Sequence, residues 1–391
     1  MAFHSDGVEW LDDDPPPNPP VRPGRPRRAR YLLLGAAVVV AGLVFALTRS
    51  SGRHSAAPSA TPTPTPSIST SSTSTSRPVP ESSVQSTPSV SVTSLGQPLL
   101  NVPSSWQLFA RGSDAVYSIQ PATGRITRTT APITSSGPPT LLVVGPHAVL
   151  VHGWDSGGGW LVQDGRPARK LPGLLANPGP AFPGPEPDQV WVQTGDGQDQ
   201  RMTLVDLDGR STGVSLPVQY AGPDGAGYLL ATMVGGTYEA RPGQLHRITT
   251  GAVLAIGPTG WLAEECDDRH RCTLDVIDRH SGERRVLGPT RDDQFGNGVL
   301  SPDGTLAAMA GPSDESGITA LHLIDLPSGV DHKMTIMLDT NAAAGYGWVW
   351  SPDSRWLFVA DAAGHIRAVG RNGQAHTLVT HLPAIEQLAM H

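Results

Sequence analysis

The stretch LHLIDLPSGVDHKM, residues 321–334, decides the fold class of this chain. It consists of an apolar run typical of a β-strand, a tight turn that contains Gly329, and a second run typical of a strand. A glycine is expected in such a turn because tight hairpin turns require a residue with positive φ. The stretch therefore predicts a β-hairpin.

The same strand, turn and strand pattern occurs seven times along the chain. Its turn glycines are Gly124, Gly165, Gly209, Gly243, Gly282, Gly329 and Gly373. The six steps from the first to the last of them average 41.5 residues. A period of about 40–45 residues is the repeat length of β-propeller blades.

A second turn signal alternates with the first. It combines proline with a following Asp, Gly or His, at residues 145–147, 184–188, 222–225, 257–260, 301–304 and 351–354. Proline at the second position is typical of type I and II turns, and apolar runs flank these turns. Each unit then consists of strand a, a Pro turn, strand b, a loop, strand c, a Gly turn and strand d.

These units predict an all-β fold, a seven-bladed propeller of four-stranded antiparallel blades over residues 101–391. The first unit lacks its own strand a, and one strand is left over after Leu378. We therefore expect residues 384–391 to close the ring as the innermost strand of the first blade.

Two of the Pro turns resemble a known repeat. LSPDGTLAAMA at 300–310 and WSPDSRWLFVA at 350–360 resemble the WD40-like repeats of TolB-type and related bacterial propellers. The whole chain resembles actinobacterial single-pass membrane proteins with an extracytoplasmic propeller. This resemblance implies a fold and no activity, because the SPDG residues are turn formers.

Residues 31–48, YLLLGAAVVVAGLVFALT, form an uncharged run that predicts one transmembrane helix. Residues 1–30 are polar and rich in proline, and we expect them to be a disordered cytoplasmic tail. The arginines that precede the apolar run are Arg22, Arg25, Arg27, Arg28 and Arg30. Their excess places the N-terminus inside and the propeller outside, in a single-pass protein of the cell membrane. The alternative is a cleaved signal peptide with a cleavage site near residues 44–46.

Residues 49–100 form a low-complexity linker, since 28 of the 40 residues from 56 to 95 are Ser, Thr or Pro. Too few apolar side chains are present there to offset the entropy of ordering. We expect a flexible stalk, and O-glycosylation of this stalk is left open.

Composition excludes several classes of protein. With 44 Gly, 38 Pro and only 16% charged residues, the chain is neither a coiled coil nor a helical bundle. Its net charge of −7 provides no basic field for nucleic acid. No metal-ligand, cofactor or nucleophile motif occurs, and a Gly-rich hairpin loop explains the WDSGG segment at 154–158. We therefore expect no cofactor, no bound metal and no enzymatic activity.

The only two cysteines, Cys266 and Cys272, bracket the loop DDRHR between a strand b and a strand c. Cysteines that face each other across a hairpin have Cα atoms about 5.5 Å apart, which a disulfide spans. The sequence predicts a disulfide at the base of this charged loop, and the alternative is two buried free thiols.

Loops on one face of the predicted propeller, the b–c and d–a connections, are longer and richer in acidic and aromatic residues. We expect this long-loop face to bind a protein, a peptide or an envelope glycan. Its candidate residues are Trp154, Asp155, Asp196, Asp199, Asp267, Asp268, Arg269, His270, Asp292, Asp293, Asp314, Glu315 and Tyr346. The alternatives are a lyase, hydrolase or quinoprotein with carboxylates over the central channel, an ion site in the 267–270 loop, and a structural role.

Overall fold

The structure is a computed structural model of the 391-residue chain. It describes residues 9–10, 89–131, 140–145, 147–153, 158–195, 199–218, 221–267, 269, 271–290, 295–313, 319–338, 346–379, 382–383 and 385–391. The chain divides into one compact unit of residues 1–12 with 85–391 and a second unit of residues 13–84, which lies outside the described residues.

The described residues contain thirty strands and one short 3₁₀ helix, Gly173–Ala176. The strands before that helix are β1 (Glu9–Trp10), β2 (Val90–Ser94), β3 (Leu108–Gly112), β4 (Ala115–Gln120), β5 (Arg125–Thr130), β6 (Thr140–Val143), β7 (Ala148–His152), β8 (Gly159–Gln163) and β9 (Arg169–Lys170). The next are β10 (Ala181–Pro183), β11 (Gln189–Thr194), β12 (Arg201–Asp206), β13 (Ser211–Leu216), β14 (Ala221–Pro223), β15 (Leu229–Met233), β16 (Gly236–Arg241) and β17 (Gln244–Thr249). They are followed by β18 (Ala252–Ile256), β19 (Gly260–Cys266), β20 (Cys272–Asp278), β21 (Arg284–Thr290), β22 (Gly298–Leu300), β23 (Leu306–Pro312), β24 (Thr319–Asp325) and β25 (Val330–Leu338). The last are β26 (Trp348–Trp350), β27 (Trp356–Ala360), β28 (Ile366–Gly370), β29 (Ala375–Val379) and β30 (Ile385–Met390).

These strands form six sheets. Sheet A has the order β2-β5-β4-β3-β30, sheet B β6-β7-β8-β9, sheet C β10-β11-β12-β13, sheet D β1-β17-β16-β15-β14, sheet E β21-β20-β19-β18-β22-β23-β24-β25, and sheet F β26-β27-β28-β29. Neighbouring strands within a repeat unit are antiparallel, as predicted. The fold is all-β, and its small antiparallel sheets have a propeller-like arrangement.

The predicted count of seven separate four-stranded blades is wrong. The structure has five sheets of four or five strands and one sheet of eight strands. The eight strands of sheet E come from two successive repeat units, because β18 and β22 pair in parallel through Ala255 with Gly298 and Ile256 with Val299. Gly298 permits this approach, since a Cβ there would lie only 3.2 Å from the Cβ of Ala255 on β18.

The turn glycines have the predicted conformation. All seven have a positive φ, between 69° at Gly124 and 77° at Gly373. In this region an L side chain is strained, so glycine recurs at the c–d turns. The hairpin prediction from residues 321–334 is confirmed by β24 and β25, which pair on either side of Gly329.

The predicted closure of the first sheet is also confirmed. β30 pairs antiparallel with β3, from Leu108 opposite Met390 to Gly112 opposite Ile385. At the other edge of sheet A, β2 pairs antiparallel with β5. The predicted linker over residues 49–100 therefore ends inside the folded unit, because residues 90–94 form a strand.

The predicted location, a single-pass protein of the cell membrane with an N-terminal helix, is contradicted by the structure. Among the described residues, no helix has both the length and the apolar character that crossing a membrane requires. Residues 31–48, on which the prediction rested, lie outside the described residues. Within the predicted disordered tail, β1 pairs in parallel with β17 of sheet D.

Apolar clusters hold the sheets together in order. Each cluster contains buried residues from two neighbouring sheets. The pairs are A with B, B with C, C with D, D with E, E with F, and F with A. One further cluster lies between the two halves of sheet E. Phe109, Trp191 and Phe358 are among the largest fully buried side chains. Each sheet thus buries both of its faces against neighbours, which is the packing of a propeller.

Ion pairs add a polar link between neighbouring units. Each pair joins the Pro turn between strands a and b of one unit to the Gly turn between strands c and d of the next. Asp224 in the turn after β14 lies with its Oδ2 2.5 Å from Nη1 of Arg279, which follows β20. The same Nη1 lies 2.7 Å from Oε1 of Glu239 on β16. Near β22, Asp303 is paired in the same way with Arg371, which follows β28, at 2.5 Å.

Candidate functional site

A pocket with a volume of about 790 Å³ lies where sheets C, D and E meet. Its lining residues are Pro178, Gly179, Pro180, Gln193, Gln200, Met202, Ala221, Gly222, Leu230, Thr232, Thr237, Gly251, Ala252 and Val253. They come from the ends of b–c hairpins and from the d–a connections that lead into β10, β14 and β18. These are the connections that the sequence assigned to the long-loop face.

Close backbone packing shapes the wall of this pocket at Gly251, between β17 and β18. A Cβ added to Gly251 would lie 1.9 Å from the carbonyl oxygen of Glu264 on β19. Only glycine therefore fits at this position. Thr237 is also fixed, because its buried hydroxyl donates to the Gly251 carbonyl oxygen at 3.0 Å.

Three polar side chains that line the pocket are available to a ligand. Gln193 and Gln200 flank the b–c connection of sheet C, and Thr232 is the last but one residue of β15 in sheet D. Within the described part of the chain, these three side chains make no hydrogen bond to protein groups. Together they offer two amides and one hydroxyl. Both groups donate and accept hydrogen bonds, so a polar ligand finds partners here.

The rim of the pocket is apolar at one hairpin. The b–c turn of sheet D, residues 233–236, exposes the side chains of Met233 and Val234 to solvent. Gly235 and Gly236 complete this turn with φ of 100° and 134°. Two neighbouring apolar side chains are thus exposed to solvent beside the pocket.

A buried histidine supports the opposite wall. Nδ1 of His152, on β7, donates to the Gly179 carbonyl oxygen at 2.9 Å. Burial lowers the pKa of His152, and hydrogen bonds to backbone carbonyls oppose this effect only partly. His152 is therefore neutral at pH 7, and the described lining itself contains no charged side chain.

The structure describes four of the thirteen residues predicted for the long-loop face: Asp199, Asp267, Arg269 and Tyr346. Asp199 is exposed and precedes the pocket residue Gln200. Burial raises the pKa of Tyr346, whose carbonyl oxygen accepts from the backbone of Leu388 at 3.1 Å. The remaining nine lie outside the described residues: Trp154, Asp155, Asp196, Asp268, His270, Asp292, Asp293, Asp314 and Glu315.

Asp267 and Arg269 belong to the hairpin loop between β19 and β20. Oδ1 of Asp267 accepts from the backbone N–H groups of Arg269 and Arg271, and its Oδ2 lies 2.5 Å from Nη2 of Arg271. These bonds, led by the Arg271 side chain, lower the pKa of Asp267 to about 2. The described hydrogen bonds and the ion pair of Asp267 therefore lie within its own hairpin loop.

At the base of this loop, the sulfur atoms of Cys266 and Cys272 are at disulfide distance, in line with the prediction. The Cα atoms are 3.9 Å apart, closer than the expected 5.5 Å. Cys266 and Cys272 are direct cross-strand partners. The next pair along the hairpin, Asp267 and Arg271, is hydrogen-bonded, because the Asp267 backbone N–H donates to the Arg271 carbonyl oxygen. Hydrogen-bonded and non-hydrogen-bonded pairs alternate along antiparallel strands, so the cysteines form a non-hydrogen-bonded pair, where the strands approach most closely.

Sequence reasoning did not single out Gln193, Gln200, Thr232 or the Met233–Val234 rim. Uncharged amides and hydroxyls form no motif, whereas the acidic residues of the same connections attracted attention. Their position at the ends of b–c hairpins was the available signal, since the long connection QTGDGQDQ begins at Gln193 and ends at Gln200.

Comparison with known proteins shows similarity of fold only. No protein-family model matches the chain, and no curated protein matches it. A functionally unknown protein from Desulfotomaculum acetoxidans is similar at 12% identity and a TM-score of 0.47, over 73% of this chain and 98% of that one. An oligogalacturonate lyase in complex with manganese has 12% identity and a TM-score of 0.47, over 70% and 87%.

TolB from Acinetobacter baumannii is similar at 12% identity and a TM-score of 0.41, over 73% of this chain and 66% of that one. At this level of similarity, the activities of the three proteins do not transfer to this chain. The resemblance to actinobacterial single-pass membrane proteins has no counterpart in these three structures.

Proposed function

We propose that this protein is a binding module whose long-loop face receives an uncharged, extended peptide segment in the pocket between sheets C, D and E. The observation that carries this proposal is the combination of Gln193, Gln200 and Thr232, without protein partners among the described residues, and the exposed Met233–Val234 rim. Polar groups that converge on a cavity fix the orientation of a ligand, and apolar contacts at its edge contribute affinity.

The chemistry of the lining favours a peptide over a glycan. An extended peptide presents N–H and C=O groups in alternation, and a glutamine amide binds both. The described lining contains no aromatic ring on which a sugar could stack, and its apolar members are aliphatic or Met202. The volume of about 790 Å³ lies within the range of about 300–1,000 Å³ that is usual for ligand pockets.

The acidic residues predicted for this face favour a peptide with basic residues on either side of the uncharged segment. Asp196 and Asp199 lie in sequence between Gln193 and Gln200, and Asp199 is exposed. We propose that basic residues next to the uncharged segment strengthen binding, mainly through the association rate. The partner is then a protein or peptide with such a segment.

The test is binding of the full chain to a library of extended peptides and, in parallel, to a panel of neutral oligosaccharides. Calorimetry on the best peptide then compares the wild type with Gln193→Ala and Gln200→Ala. Each substitution removes one or two hydrogen bonds, of about 0.5–1.5 kcal/mol each, so affinity should fall by about 2- to 140-fold.

Gln374→Ala is the matched control, because Gln374 is an exposed glutamine in a c–d turn, away from the pocket. It should leave the affinity unchanged. Binding of oligosaccharides alone, or peptide binding that is equally insensitive to all three substitutions, would overturn the proposal.

A further inference from the structure

The hairpin formed by β19 and β20 gathers three metal-ligating side chains outside the pocket. Glu264 and Cys266 are two residues apart on β19, so both side chains point to the same face of the sheet. Cys272 lies directly opposite Cys266 on β20. The ligand atoms of Glu264, Cys266 and Cys272 all lie within 4.8 Å of one another.

We propose that Glu264 and the reduced forms of Cys266 and Cys272 bind Zn²⁺, and that the disulfide switches this site off. Zn²⁺ binds thiolates at about 2.3 Å and carboxylate oxygens at about 2.0–2.2 Å. Three protein ligands leave one tetrahedral position for water or a further donor. Two thiolates distinguish this set from sites for Mg²⁺ or Ca²⁺, which prefer oxygen ligands only.

The disulfide and the metal exclude each other for a chemical reason. Sulfur atoms bonded to one another are not thiolates, and the thiolate is the form that ligates a metal. A dithiol reductant supplies two electrons and two protons, which break the bond between the sulfurs, while its own sulfurs become a disulfide. Zn²⁺ then displaces the two thiol protons as it binds.

The fold supports both states of the hairpin. The pairing of β19 with β20 continues from Gly260 opposite Asp278 to Cys266 opposite Cys272, so the backbone ladder holds the ligands together after reduction. Cys266 is exposed, which gives a reductant and a metal ion access. Cys272 is buried, so the hairpin protects one side of the site from solvent.

The test titrates Zn²⁺, and Co²⁺ as its spectroscopic substitute, into the full chain before and after reduction with a phosphine. We expect one equivalent of metal and a thiolate-to-Co²⁺ charge-transfer band only after reduction. Cys266→Ser should weaken the band, because it leaves only the Cys272 thiolate, and this exposed position avoids disturbing the buried Cys272. Glu264→Gln should keep the band and lower the Zn²⁺ affinity by about tenfold or more, since a direct ligand matters at least as much as its outer-shell partners.

Glu283→Gln is the matched control, because Glu283 is an exposed residue in the c–d turn of the same unit. The proposal is overturned if the reduced protein shows no charge-transfer band, or if Glu264→Gln binds Zn²⁺ as tightly as Glu283→Gln does. Peptide binding to the pocket is measured on the oxidised protein, so the two proposals stand or fall separately.

Discussion

Replacement of Arg279 by Met tests whether a buried ion pair links sheets D and E. The Arg279 side chain is 10% exposed, and it contacts the carboxylate of Asp224, which is 0% exposed, and the buried carboxylate of Glu239. Its guanidinium also lies 4.3 Å from the centre of the Trp261 ring and donates to the Gly257 carbonyl oxygen at 3.1 Å. Methionine keeps much of the apolar volume of this side chain and removes its charge.

Without Arg279, the carboxylate of Asp224 is left buried without its cation. Removal of one member of a buried ion pair costs about 3–5 kcal/mol, because the partner stays desolvated and uncompensated. Arg371→Met is the matched control, since the Arg371–Asp303 pair occupies the equivalent position at 40% and 39% exposure. An exposed pair contributes about 0–1 kcal/mol, so this control should lose little stability.

Urea denaturation of the full chain, followed by tryptophan fluorescence, measures the free energy of unfolding of each variant. A third variant combines Arg279→Met with Asp224→Asn and Glu239→Gln, which removes the buried charges. The Asp224→Asn change keeps a side-chain carbonyl oxygen for the backbone N–H groups of Ala226 and Tyr228, which donate to Oδ1 of Asp224 at 2.8 Å. This triple variant should be more stable than Arg279→Met alone. Equal losses for Arg279→Met and Arg371→Met, or no recovery in the triple variant, would refute the electrostatic reasoning.

Two further predictions concern His322 and β30. Burial lowers the pKa of His322, but Asp331, 2.8 Å from its Nδ1, and the Pro312 carbonyl raise it more, so the folded-state pKa lies above the ordinary histidine value of 6.5. Protonated His322 therefore stabilises the folded state. This stabilisation is fully present below pH 6.5 and is lost as the pH rises through the folded-state pKa. The melting temperature of His322→Gln should therefore depend less on pH between about pH 5 and 9 than that of the wild type. Deletion of residues 384–391 should lower the stability of the whole folded unit by more than the ~0.5 kcal/mol of a surface change, and an unchanged melting curve would contradict the closure of sheet A by β30.

Local sequence signals predicted the local structure of this protein well. The turn glycines, such as Gly329 with its φ of 70°, require only a few neighbouring residues to be recognised. The proximity of Cys266 and Cys272 follows from one short hairpin. The closure by β30 was also accessible, because counting strands left one over at one end and one missing at the other.

Features that depend on contacts between units were not predictable in this way. The parallel pairing of β18 with β22 joins two units into sheet E, and it depends on how closely Gly298 brings their backbones together. Asp224 and Arg279 are 55 residues apart, and their turn motifs carry no sign of the ion pair. The pocket escaped prediction because Gln193, Gln200 and Thr232 are ordinary surface residue types until three sheets converge around them.

The pairing of β30 with β3 has a consequence for synthesis of the chain on the ribosome. Arg111 on β3 contacts Glu386 on β30 across 275 residues of sequence. At about 5–20 residues per second, the ribosome needs roughly 15 to 55 s to make the intervening chain. During this interval the edge of β3 that β30 later covers has no partner and is able to pair with other nascent chains. Slow translation of this segment should therefore increase aggregation, unless a chaperone covers the β3 edge until β30 emerges.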